Sequence, residues 1–204
     1  MFPRHLIVEY AQKLASNGLI VGSEGNLSLK ARDGIYTTPS GKIKADLAPQ
    51  DIVVVNEEGK ILQGTKPSSE ILMHLAIYRH REDVKAVIHA HPPYTLALDL
   101  AGHNFQETYL AEGAIFLKEI KRIPFAIPGT EEVPQALEKD LAQGQVFVLS
   151  RHGAVTLGRN LAEAYNLMCV LEQVSKVVWM AKLLNPEVQP LAPEALAKLE
   201  KLYP

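Results

Sequence analysis

Apolar positions along this chain recur with two different periods, and the changes between them mark out the elements. Leu6, Ile7, Tyr10, Ala11 and Leu14 fall at helical spacing, which predicts a helix over residues 4–16 closed by Asn17-Gly18. A loop of small residues, 21–26, leads into a strand at 27–29, and Asp33-Gly34 signals a hairpin into 35–38. A valine-rich strand at 51–56 turns back through Glu57-Glu58-Gly59. Helical spacing returns over 68–80 at Ile71, Leu72, Leu75, Ala76 and Tyr78. Val84, Ala86, Val87 and Ile88 then predict a buried strand that Pro92-Pro93 ends, since proline gives no amide to a ladder.

Beyond a helix at 94–100 the pattern weakens, and short strands are expected around 109–116 and 124–127. A helix near 133–142, a strand at 146–149, another at 153–157, a long apolar helix at 161–184 and a short terminal helix complete the chain. Helices interleaved with hairpins predict an α/β layered fold with a mixed, largely antiparallel sheet. No repeat or domain-sized linker interrupts 1–204, so one domain is expected. A net charge of −2 leaves no electrostatic footprint for nucleic acid or an anionic membrane. The lone cysteine, Cys169, excludes an internal disulfide and fits a reducing compartment, so the expected location is cytoplasmic.

The candidate chemistry gathers at strand ends. In His89-Ala90-His91 the two imidazoles stand two residues apart on a strand, so they share a face and can aim at one point. A transition metal needs at least one more ligand, and His152 follows a second apolar strand. Ordinary surface or core histidines are the plain alternative. Three small-residue loops could cradle an anion: 23–26, 38–41 and Ser68-Ser69, the last expected at a helix start. Equally, they read as turns and a serine N-cap. Glu70, expected in the first turn of that helix, becomes a proton carrier or a fourth ligand only if the histidines lie beside it.

Taken together, Gly25-Asn26, Thr38-Pro39-Ser40-Gly41, Pro67-Ser68-Ser69-Glu70, His89-Ala90-His91 and Arg151-His152-Gly153 resemble the zinc-dependent class II aldolase/adducin family, nearest its fuculose phosphate branch. The resemblance implies a three-layer α/β/α sandwich with a central, mostly antiparallel sheet. It also implies a homotetramer with active sites at subunit interfaces. One Zn2+ per subunit would sit on His89, His91 and His152, with Glu70 as acid/base. Ser23, Gly25, Asn26, Ser40, Gly41, Ser68 and Ser69 would hold the substrate phosphate; Ser23 and Ser40 stand where such aldolases carry threonine. Tyr109 resembles a tyrosine donated from the neighbouring subunit, and a buried tyrosine with its hydroxyl tied down is its bland alternative. The implied reaction cleaves a ketose 1-phosphate such as L-fuculose 1-phosphate to dihydroxyacetone phosphate and an aldehyde through a metal-stabilised enediolate. Three other family readings compete: a sugar-phosphate 4-epimerase, which carries aspartate where Glu70 stands; a methylthioribulose-phosphate dehydratase, which carries a glutamate about where Tyr109 falls, with Glu112 close by; and an adducin-like scaffold.

Overall fold

The computed structural model describes residues 2–203, and its centre is one eight-stranded sheet. The strands are β1 (Asn26–Ala31), β2 (Gly34–Thr37), β3 (Val53–Val55), β4 (Ile61–Gln63), β5 (Ala86–Ala90), β6 (Ile120–Ile123), β7 (Val146–Leu149) and β8 (Gly153–Gly158). They lie in the order β4-β3-β2-β1-β5-β8-β7-β6, and every neighbouring pair is antiparallel except β6 with β7. The fold is therefore the expected α/β sandwich with a mostly antiparallel sheet.

Side-chain alternation sends the strands' residues into two cores. On one face Leu27, Ile88, Ala90, Val148 and Ala154 pack under the helices α1 (Pro3–Ser16), α3 (Pro93–Leu100) and α5 (Leu161–Leu184). On the other, Val55, Val87, Phe147, Val155 and Leu157 meet α2 (Ile71–His80) and α4 (Glu132–Leu137). The terminal helix α6 (Pro193–Leu202) buries no residue of its own. The long α5 starts where the Asn160 side chain accepts the Glu163 N–H at 2.9 Å, an N-cap that satisfies one orphan donor. Its Glu172 reaches across to accept the backbone N–H groups of Tyr94 and Thr95, capping α3 from outside. Among the described residues no helix is long and apolar enough to cross a membrane.

The weakly patterned stretch departs from expectation. Residues 113–117 form a π-helical turn instead of a strand, and β6 ends at Ile123, before the 124–127 strand that was expected. Only Ile123 of β6 is buried, because β6 is an edge strand paired on one side, and its Lys121 and Arg122 mask the apolar alternation. Pro124 then ends it, having no amide to pair. At the other site-bearing segment α2 starts at Ile71, so Glu70 sits at the N-cap position and Ser68-Ser69 precede the helix.

Candidate metal centre

Three segments bring the histidines together. Strand β5 is buried from end to end and delivers His89 at its last turn of the pleat, with His91 just past it. The chain then leaves the sheet, and the His91 amide donates to Leu19 O at 2.9 Å, fixing where the strand stops. His152 arrives on the tight turn between β7 and β8, whose register runs through Leu149↔Gly153. That turn needs Arg151 in the left-handed region at φ 58°, uncommon for a residue with a side chain. Buried Asp99 of α3 holds it there: its carboxylate accepts the Arg151 N–H at 2.8 Å, the Ser150 hydroxyl at 3.2 Å and Arg122 Nε at 2.7 Å.

Gly153 completes the geometry. A Cβ on it would lie 2.6 Å from Ala90 O, 2.7 Å from His89 Cε1 and 2.8 Å from His91 Cδ2. The two imidazoles lie over the first residue of β8, where only glycine leaves room. One candidate ligand nitrogen from each of His89, His91 and His152 falls within 4.8 Å of the others.

The ring orientations suit metal binding. His89 Nδ1–H donates to Ala154 O at 3.0 Å, and His91 Nδ1–H donates to Glu24 Oε2 at 3.0 Å. Each contact holds its ring with Nδ1 outward and Nε2 facing the cluster, the outer-shell arrangement found around metal-bound histidines. These two Nε2 atoms lie only 3.1 Å apart. Glu70 adds a carboxylate, with Oε2 3.2 Å from His89 Nε2 and Oε1 3.3 Å from His152 Nε2. Electron pairs crowded on one point need a proton or a cation among them, so the donor set fits a divalent transition metal. Burial, then the His89 charge, lowers the His152 pKa to about 4, and the same two causes lower His91. Both rings are neutral at pH 7, as ligands must be. Burial pushes the Glu70 carboxyl up, but the His89 and His152 imidazoles and the Asn26 N–H outweigh it and hold it below the usual carboxylate range.

Around this cluster the three loops meet. The Ser40 amide donates to Lys66 O at 3.0 Å and the Ser68 amide to Thr38 O at 3.1 Å, joining the 38–41 loop to the segment before Glu70. Buried Lys44 ties in the third, donating through Nζ to Ser23 O at 2.7 Å and to Lys42 O at 3.0 Å. Gly25, at φ 64°, passes so close to His89 O that a Cβ would stand 2.9 Å away. Ser23, Gly41 and Ser69 face solvent, Ser40 is half-buried, and Ser68 is buried. Asn26 is 2% exposed, and its side chain is engaged by Glu70 and His74.

A family model described as the class II aldolase and adducin N-terminal domain matches residues 5–179. The chain belongs to this class II aldolase/adducin family. An L-fuculose phosphate aldolase of Methanococcus vannielii is 42% identical over 158 residues, 78% of this chain and 85% of the relative. A 3-oxo-tetronate 4-phosphate decarboxylase of Escherichia coli is 34% identical over 182 residues, 87% of this chain and 86% of the relative. Among solved structures, YgbL of Escherichia coli, named only as a candidate aldolase, epimerase or decarboxylase, superposes with a TM-score of 0.90 at 31% identity over 96% of each chain.

For a class II aldolase/adducin chain, Tyr109 stands apart. Its hydroxyl donates to Glu107, and its ring meets His103 and the Lys182 ammonium; the histidine cluster is not among these contacts. The motifs pointed neither to Glu24 nor to Asp99, which orient ligands from outside the cluster. Nor did they point to His74, although Glu70, His74 and Tyr78 fall four residues apart, a stripe on one helix face that the sequence displays.

Proposed function

We propose that the chain is a lyase that cleaves a ketose 1-phosphate, such as L-fuculose 1-phosphate, to dihydroxyacetone phosphate and an aldehyde. One observation carries this reading: three imidazoles and a carboxylate converge on a single point beside glycine- and serine-rich loops. His89, His91 and His152 would hold the metal, with Zn2+ matching the three-nitrogen donor set. Once bound, it would supply Lewis-acid stabilisation of the negative charge that develops on the substrate oxygens as the carbon–carbon bond breaks.

The chain's own groups do the rest. Ser23, Gly25, Asn26, Ser40, Gly41, Ser68 and Ser69 line the joined loops, whose amides and hydroxyls hold the phosphate and so fix the reacting carbons relative to Glu70. Glu70, kept ionised, takes a proton from the hydroxymethyl carbon of dihydroxyacetone phosphate in the synthetic direction and returns it on cleavage. Tyr109, remote from the cluster of its own chain, serves a neighbouring copy's site as the acid for the aldehyde oxygen. The working form in this reading is a cytoplasmic homotetramer.

A second reading has its own support in the 34% identical decarboxylase relative. Loss of CO2 from a 3-oxo acid 4-phosphate also leaves negative charge on oxygens beside the broken bond, and its other product would again be dihydroxyacetone phosphate. The discriminating assay therefore follows the second fragment. Ketose 1-phosphates and a 3-oxo acid 4-phosphate are offered to the metal-loaded enzyme, and aldehyde and CO2 are measured alongside the triose. Aldehyde that vanishes on chelation and returns with zinc supports the aldolase; CO2 without aldehyde moves the assignment to decarboxylation. Glu70→Gln should abolish either activity while the metal stays bound, and full activity in that variant removes Glu70 from the mechanism.

A further inference from the structure

Behind Glu70 a line of buried polar side chains runs back along α2 and β1. Asn26 Nδ2 lies 2.8 Å from Glu70 Oε2, and Asn26 Oδ1 lies 2.5 Å from His74 Nε2. His74 Nδ1 lies 2.6 Å from Ser28 Oγ, which lies 2.7 Å from the Tyr78 hydroxyl. Asn26, Ser28, His74 and Tyr78 are all at most 3% exposed, between core residues such as Met73, Ile77 and Val87. Two periodicities interlock to build it: His74 and Tyr78 follow the N-cap residue Glu70 at successive turns of α2, and Asn26 and Ser28 lie two apart on one face of β1. Asn26 is the register partner of His89, so the line ends at the metal centre.

The polarity of the line can be derived from its end. Asn26 turns Nδ2 to the Glu70 carboxylate and Oδ1 to His74, so its N–H donates to Glu70 and its carbonyl oxygen accepts from the ring. His74 must then carry its hydrogen on Nε2. Burial pushes the His74 pKa down to about 3, so the ring is neutral and its Nδ1 is bare. Ser28 therefore donates to Nδ1, and Tyr78 donates to Ser28. Every donor points toward Glu70. An amide in the middle gives up no proton at ordinary pH, so the line orients groups and does not conduct protons.

We propose that His74, seated by Ser28 and Tyr78, is a positioning residue that turns the Asn26 amide so that its N–H aims Glu70 at the reacting carbon. This rests on the assignment of Glu70 as the acid/base. Outer-shell partners of this kind are worth roughly 10- to 100-fold in activity or metal affinity. An asparagine free to flip would offer its oxygen to a carboxylate and drive Glu70 off its aim.

The test has two arms. In the first, nitrogen NMR of the intact, histidine-labelled enzyme reads the tautomer of His74, with no need for turnover. Protonation at Nε2 with a bare Nδ1 is the expected result. Protonation at Nδ1 means that Asn26 presents its oxygen to Glu70, and it overturns the proposal whether or not the enzyme proves to be a lyase. The second arm compares variants at equal metal loading. His74→Gln keeps a donor near the Nε2 position and should hold kcat close to wild type. His74→Leu fills the space without a donor and should lower kcat by roughly 10- to 100-fold with KM little changed. A His74→Leu enzyme that folds, binds metal and turns over at the wild-type kcat refutes positioning. Wild-type enzyme with no lyase activity on any substrate would sink the proposed function instead, and leaves the tautomer result standing.

Discussion

The sharpest structural demand in the molecule is the absence of a side chain at Gly153, and Gly153→Ala tests it directly. The added methyl would stand 2.6 Å from a backbone carbonyl, Ala90 O, and within 2.8 Å of two imidazole carbons. The carbonyl cannot swing away cheaply, because Ala90 pairs with Ala154 in the β5–β8 ladder. Relief must come from the rings or from the strand, and overpacking of this kind costs about 1–3 kcal/mol. For a chain of this length each kcal/mol lowers Tm by about 2–4 °C, so a fall of roughly 2–12 °C is expected. If the rings yield, His89 loses its donor contact to Ala154 O, and metal affinity should fall about 10- to 100-fold. Thermal melts of the chelator-treated protein and equilibrium dialysis against Zn2+ measure the two effects separately. A variant with wild-type Tm and wild-type zinc affinity would refute the claim that β8 lies too close beneath the ligands for any Cβ.

Three other perturbations probe the supports of the site. Asp99→Ala removes the acceptor for Arg151 N–H and leaves a left-handed arginine unsupported, so a loss of about 2–4 kcal/mol and weaker metal binding are expected in denaturant melts and dialysis. Acid should destabilise the metal-free fold through His74. Its folded pKa of about 3 lies below the ordinary 6.5, so its contribution is intact above pH 6.5 and lost as pH falls toward 3. At pH 5 that loss is about 2 kcal/mol, and His74→Gln should flatten this part of the pH–stability curve; an unchanged slope counts against a neutral buried imidazole. Lys44→Met should leave zinc content unchanged but raise KM for the phosphorylated substrate, because Lys44 ties the 22–25 loop to the 42–44 segment; an unaltered KM would show that the loops hold their places without it.

How much of this was legible beforehand depended on how local each signal was. The alternation around His89-Ala90-His91 and the helical stripe of 161–184 are local, and the elements fall where the pattern puts them. The edge strand at Ile120–Ile123 was not legible, because one buried residue in four gives no period to read. Within the centre, the motifs named the three histidines and Glu70, which meet in space. Glu24 and Asp99 act through contacts 67 and 52 residues away along the chain, a relation no spacing displays. The Glu70–His74–Tyr78 stripe was displayed, yet its apolar neighbours made it look like the core face of an ordinary amphipathic helix.

The pairing of β5 with β8 has a bearing on how the chain matures. His89 and Ala154, joined by one hydrogen bond, are 65 residues apart in sequence, and β6, α4 and β7 lie in the chain between them. As the polypeptide leaves the ribosome, the first two imidazoles emerge long before the third, and early capture of zinc would find a two-nitrogen site with little hold on it. Closing so long a loop is among the slower steps of folding. A metal taken up at the three histidines would gain its full hold only once β5 and β8 have paired, and the rate of uptake is expected to report on that pairing.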